Sequence, residues 1–147
     1  MKKKLISQIN NPDAADTITN QHKKFGKTIG VNGCFGSSNI GQMTGFIARK
    51  IVSEIPSAFM RCPIGLYPEV EGPSQVMLYD DYQVVIDGCK GKCLGLTCEK
   101  AGLSMDLYYT LDDNFSLKKK PGPDFDEQKM NEIADLIIKD IRKMTDA

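Results

Sequence analysis

Tryptophan is absent from this chain, histidine occurs once, and neither sign of charge dominates, with 19 basic and 19 acidic side chains. A nucleic-acid clamp carries a basic excess to neutralise phosphate, so no nucleic-acid partner is expected. No apolar run approaches the ~20 residues that cross a bilayer as a helix. The basic head Met1-Lys-Lys-Lys4 has no apolar core behind it, which argues against a secretory signal and a membrane partner. The spacing of Gly36, Gly41 and Gly45 fits neither a dinucleotide fingerprint nor a P-loop, and no Gly-Lys-Ser/Thr follows. The stretch Cys34-Phe-Gly-Ser-Ser-Asn-Ile40 lacks the Arg that a cysteine-phosphatase loop needs at the position Ile40 fills. Paired Cys-x2-Cys knuckles, the mark of zinc ribbons and thioredoxin-type redox sites, are missing too.

What remains is a chain of 147 residues, 41% hydrophobic, which suits one domain with a modest core. Residues 1–27 are polar and lack sustained periodicity, so they are expected to form an N-terminal arm, solvated or carrying a short helix. The lone His22 falls in this arm with no partner at ligand spacing. Residues 28–147 are expected to make one domain. Thr28 to Gly33 has a strand pattern ending in a turn. Ile40, Met43, Ile47, Ile51 and Ile55 then recur at helical spacing, with Ser37, Ser38 or Asn39 as cap and Pro56 as stop. Gln75–Tyr79 and Gln83–Asp87 read as strands, the second apolar throughout its centre as a strand covered on both faces should be. A short helix ends at Ala101-Gly102, and Ser104–Tyr109 is a further strand. Asp124 and Glu127 have the form of a capping box for a last helix striped by Met130, Ile133, Ile137, Ile141 and Met144. Alternating strands and helices predict an α/β fold: a small, mainly parallel sheet in a Rossmann-like three-layer sandwich.

Five cysteines stand out, an odd number in a chain expected to be cytoplasmic, where thiols serve as ligands or reactive groups. Val31-Asn-Gly-Cys34-Phe-Gly36 and Ile86-Asp-Gly-Cys89-Lys-Gly91 repeat one pattern, each where a strand gives way to a helix. Cys62 follows another apolar run. Strand ends of a parallel sheet share one crevice, so these thiols are expected to converge there. Cys93, four residues after Cys89, would share its face of a helical turn. Cys98 lies half a turn round from Cys89 and in phase with Leu94 and Ala101, which makes it a packing thiol. Four thiolates around one Zn²⁺ leave a local charge of about −2, which helix N-termini with Lys90 and Lys92 would offset. Asp87, Ser37 and Asn39 are candidates for orienting the ligands by hydrogen bonds, with Asp87 equally suited to accept backbone amides. Lys118-Lys119-Lys120 reads as a solvated loop.

The Asp87-Gly88-Cys89 tripeptide, the Cys34–Gln42 stretch, Cys62 and Cys93 together resemble the DGC-domain family. The resemblance implies a zinc-binding protein with four shared cysteines, at Cys34, Cys62, Cys89 and Cys93, and leaves Cys98 outside the set. The expected function is accordingly metal binding in a structural, sensing or carrier role. Two alternatives use the same thiols: a thiol-dependent oxidoreductase and an iron–sulfur electron-transfer protein.

Overall fold

A computed structural model describes residues 13–70 and 72–146. Strands β1 (Ile29–Gly33), β2 (Ala58–Met60), β3 (Tyr82–Asp87) and β4 (Leu107–Thr110) form one sheet in the order β2-β1-β3-β4. Every pairing is parallel. Helices cover both faces, giving the three-layer α/β sandwich that the alternation predicts. The chain steps outward from β1 to β2, then crosses back to β3 on the other side. That reversal opens a crevice at the carboxyl ends of β1 and β3, the usual ligand position in open parallel sheets.

The strand sequences explain their places. Val84, Val85 and Ile86 are fully buried because β3 is central and packed on both faces. Ile29, Val31, Val84 and Ile86 meet α2 (Asn39–Glu54) and the final helix α6 (Glu127–Thr145). Val85 points the other way, into a smaller core with Met77, Leu94, Cys98 and Leu103. Helices α1 (Asp13–His22), α3 (Pro73–Leu78) and α4 (Cys93–Lys100) lie on that side, and α5 (Leu111–Phe115) follows β4. Ser38 caps α2 by accepting the Gly41 N–H, as the cap-rich run before it predicts. No helix among the described residues is long and apolar enough to cross a membrane.

Three expectations are corrected. Gln75–Tyr79 does not form a strand: Pro73–Leu78 is a helix, entered through Gly72 at φ +93° with Pro73 at its first position. Five residues cannot separate one helical turn from alternation, and here Val76 and Met77 are buried while Leu78 and Tyr79 face outward. The last helix is capped not by Asp124 but by Asp126, which accepts the N–H groups of Gln128 and Lys129. Glu127 therefore opens the helix instead of closing a capping box. Of the polar arm, residues 1–12 lie outside the described residues, whereas Asp13–His22 forms the short helix that the sequence allowed for, but packed on α3 instead of solvated.

That helix is fastened by a buried polar chain. Arg61, just past β2, forks onto Asp80 with Nη2 to Oδ1 at 2.6 Å and Nε to Oδ2 at 2.8 Å. Both side chains are almost wholly buried, so the charges are paired as burial demands. Gln83 donates to Asp80 Oδ2 and accepts from Asn32, carrying the chain across β3 to β1. At the other end, Arg61 Nη1 lies 3.0 Å from His22 Nδ1, and the imidazole stacks on Phe59 with ring centroids 3.7 Å apart. Burial first, then the Arg61 charge, lowers the His22 pKa from its ordinary 6.5, against a smaller opposing pull from Asp80. The unfolded chain, with the ordinary value, therefore takes up a proton first as pH falls through 6.5, and the folded state loses stability below it. Urea unfolding of the His22→Gln variant is expected to show a weaker loss of stability across that window than the parent chain. Identical slopes would show that burial and Arg61 do not hold the imidazole neutral.

Candidate thiol site

All five cysteines are free thiols. Four of them lie at the carboxyl end of the sheet, each brought there by a different local device. Cys34 continues β1 by one rung, its N–H donating to the Ile86 carbonyl at 3.1 Å, and so stands beside the end of β3. Its neighbour Phe35 takes a left-handed backbone at φ 51°, fixed by its N–H on Thr44 Oγ1 at 3.0 Å. Cys89 sits in the turn after β3, closed by the Lys92 N–H on the Cys89 carbonyl. Gly88 lets that turn approach α2: a Cβ there would lie 2.7 Å from the Ile40 carbonyl oxygen and 2.9 Å from the Gly41 nitrogen. Cys93 is the first residue of α4, reached through a left-handed Lys92. Cys62 stands exposed at the start of the short 3-10 turn Pro63–Gly65, beyond the edge strand β2.

Cys34, Cys89 and Cys93 line one small cavity of about 190 Å³, whose wall also includes Ser37, Lys92 and Lys119. Cys34, Cys62 and Cys93 line the adjoining open cleft of about 570 Å³. Cys34 and Cys93 thus form the ridge between the two. The Cys89 and Cys93 sulfurs each lie 3.6 Å from the point a Cβ on Gly91 would occupy, so they are at most twice that distance apart. They meet across a turn and a helix start, not along one helical turn as their spacing predicts. Among the described residues, no three His, Cys, Asp or Glu side chains are gathered closely enough to hold one metal ion. The four thiols share a rim without being drawn to a common point.

Asp87 is the anchor of this rim. Its buried carboxylate accepts the Leu94 N–H at 3.0 Å, the Gly95 N–H at 2.8 Å and the Tyr108 hydroxyl at 2.9 Å. It satisfies the otherwise unpaired first-turn amides of α4 and opposes the positive end of that helix. Gly95 leaves room for this, because a Cβ on it would sit 2.7 Å from the Tyr108 hydroxyl. Of its two sequence-level roles, the amide-accepting one is what the hydrogen bonds display. Burial, with the Asp87 contact adding to it and a Thr110 hydrogen bond opposing, pushes the Tyr108 hydroxyl up to about 12, so it stays a donor. Ser37 is exposed on the cavity wall. Asn39 faces elsewhere: its amide donates to the Lys118 carbonyl at 3.1 Å and its Oδ1 accepts the Lys120 N–H at 2.7 Å.

Asn39 thereby leads to a residue that sequence reasoning missed. By pinning Lys118 and Lys120, it holds the intervening Lys119 over the rim, with Nζ 3.9 Å from Cys89 Sγ. The lysine run is not simply a solvated loop. No local signal marks it, since the contact joins segments far apart in the chain. Cys98 behaves as its helical phase predicts. It is fully buried in the smaller core, and desolvation, with the Asp87 charge adding to it, pushes its thiol up to about 11.

An open all-parallel α/β sheet with thiols gathered at its strand ends defines the class. The DGC domain model matches residues 30–137, most of the chain, and the chain therefore belongs to the DGC-domain family. Its namesake tripeptide is the Asp87-Gly88-Cys89 that ends β3 and begins the rim. No curated protein and no solved structure matched the chain.

Replacing Asp87 by Ala is expected to cost about 3 kcal/mol in urea unfolding, because two helix amides and a hydroxyl lose a charged acceptor. A loss below ~1 kcal/mol would show that α4 is held by its packing alone. In the folded, metal-free chain, iodoacetamide should modify Cys34, Cys62, Cys89 and Cys93 and leave Cys98 untouched until denaturant is added. Early labelling of Cys98 would contradict its place in the core.

Proposed function

We propose that this protein binds one thiophilic divalent metal ion, zinc, through Cys34, Cys62, Cys89 and Cys93, in the reducing cytoplasm. The observation that carries this reading is the sharing of Cys34 and Cys93 between two adjoining cavities, one also lined by Cys89 and the other by Cys62. Donor chemistry fits the ion, since thiolates are the preferred ligands of structural zinc. Placement on one rim fits as well. The sulfurs would have to turn inward to ligate, and Cys62 and Cys93 are exposed enough to do so. When bound, the ion would supply a cross-link between the loops after β1, β2 and β3, adding its binding energy to folding. A shell filled by four sulfurs leaves no open position, which favours a structural, sensing or carrier role over Lewis-acid catalysis.

The chain's own groups prepare the site. Asp87 fixes the start of α4 and so the place of Cys93. The N-terminus of the long helix α2 and the ammonium groups of Lys92 and Lys119 oppose the charge that thiolates would bring. A second reading draws on the Cys89–Cys93 proximity and the Lys119 contact. Reversible oxidation of that dithiol would make the protein a thiol-dependent oxidoreductase, with the two electrons passing to a disulfide substrate that is reduced to two thiols.

Elemental analysis with native mass measurement on anaerobically purified, reduced protein should give close to one zinc per chain. Serine at Cys34, Cys62, Cys89 or Cys93 should lower that occupancy, and Cys98→Ser should leave it near the parent value. Occupancy far below one, or equal loss with Cys98→Ser, would overturn the metal reading. Appearance of a Cys89–Cys93 disulfide in equilibrium with glutathione, in metal-free protein that never loads zinc, would favour the redox reading.

A further inference from the structure

The larger cavity shares Cys34, Cys62 and Cys93 with the proposed metal site, but its apolar walls have no part in metal binding. Its lining includes Phe35, Met60, Pro63, Ile64, Tyr67 and Leu94, together with Cys34, Cys62 and Cys93. Its volume of about 570 Å³ falls in the range of small-molecule sites. It opens at the carboxyl ends of β1 and β2, beside the chain reversal where parallel sheets take ligands.

Charge narrows the ligand. Arg61 is the one charged residue lining the cleft among the described residues, and its guanidinium is already committed to both oxygens of Asp80 and to His22. A phosphate, sulfonate or carboxylate would find no unpaired cation among the lining residues and would lose its hydration; the Lys100 ammonium lies outside the lining, over the Tyr67 ring at 5.5 Å from its centroid. The lysines of the rim, Lys92 and Lys119, line the neighbouring small cavity instead. Rings and branched chains dominate what is left. Ile64 and Tyr67 are 82% and 74% exposed on one lip, an arrangement that hydrophobic burial disfavours unless something covers it. Phe35, also in the lining, is half exposed with its ring against Gly45, and its backbone is held left-handed, a conformation that costs a non-glycine residue free energy and is fixed here by Thr44.

We infer that this cleft binds an uncharged aromatic small molecule, its ring system lying among Phe35, Met60, Ile64 and Tyr67 and its inner end against Cys34, Cys62 and Cys93. The ligand covers the three thiols of the cleft and leaves Cys89 open on the far side of the ridge.

Two probes with the same ring skeleton test this, neutral N-phenyl-1-naphthylamine and its sulfonated counterpart 1-anilinonaphthalene-8-sulfonate, titrated by fluorescence into the reduced chain. The neutral probe is expected to bind about tenfold more tightly. Tyr67→Ala and Ile64→Ser, both at exposed positions, should each weaken it about fivefold without changing the circular dichroism spectrum. Saturating neutral probe should slow iodoacetamide labelling of Cys34, Cys62 and Cys93, read by peptide mass, while Cys89 labels at its usual rate. Equal or tighter binding of the sulfonate, indifference to both substitutions, or protection of Cys89 along with the rest would overturn the inference. So would sedimentation showing a dimer that Ile64→Ser dissociates, since the lip would then be covered by a second copy of the chain. Titration and labelling use the metal-free chain, with zinc content checked on the same samples, because bound zinc would itself shield all four rim thiols. A failure of zinc to load then bears on the metal reading alone.

Discussion

The arrangement of the thiol rim depends on one buried carboxylate. Asp87 ends the central strand, where a charge without partners would be untenable. It survives there because α4 points its first-turn amides at it and Tyr108 reaches up from β4. The two amide bonds fix where α4 begins, and α4 begins with Cys93. The dense packing around the neighbouring glycines keeps β3, α2 and α4 in one relation. Cys89 and Cys93 are therefore placed by the fold's own hydrogen bonding.

A second polar chain does comparable work at the other edge of the sheet. The His22–Arg61–Asp80–Gln83–Asn32 series joins α1, β2, the α3–β3 link, β3 and β1. The short edge strand β2 has only three residues and pairs on one side alone, so it needs such support. Arg61 precedes Cys62 directly. Holding the arginine inward leaves the cysteine at the surface and strips the cleft of a free cation. One ion pair thus sets both the exposure of a candidate ligand and the polarity of the adjoining cavity.

Much of this was legible in the sequence, and the parts that were not have a common cause. The isoleucine stripe of α2 and the unbroken apolar centre of β3 gave the layers, because periodicity is a local signal. The repeated Gly-Cys turn marked two strand ends, and the helical phase of Cys98 separated it from the other thiols. Gln75–Tyr79 failed because five residues are too few to fix a period. Asp126 displaced Asp124 as a cap because several acids compete within one turn. Lys119 and the Arg61–Asp80 pair stayed hidden because they join segments brought together only by the sheet. Convergence of Cys34, Cys62, Cys89 and Cys93 on one rim follows from the parallel topology, while the distances between their sulfurs depend on rotamers and turns that no pattern encodes.

The strand order also carries a consequence for how the chain matures. Each parallel pairing requires a full crossover before it can close. A chain emerging from the ribosome would expose Cys34 long before Cys62 and Cys89 have been made, and the rim exists only after the third strand has docked between the first and the fourth. Until then the cysteines are isolated sulfhydryls, open to premature oxidation or to capture by stray copper.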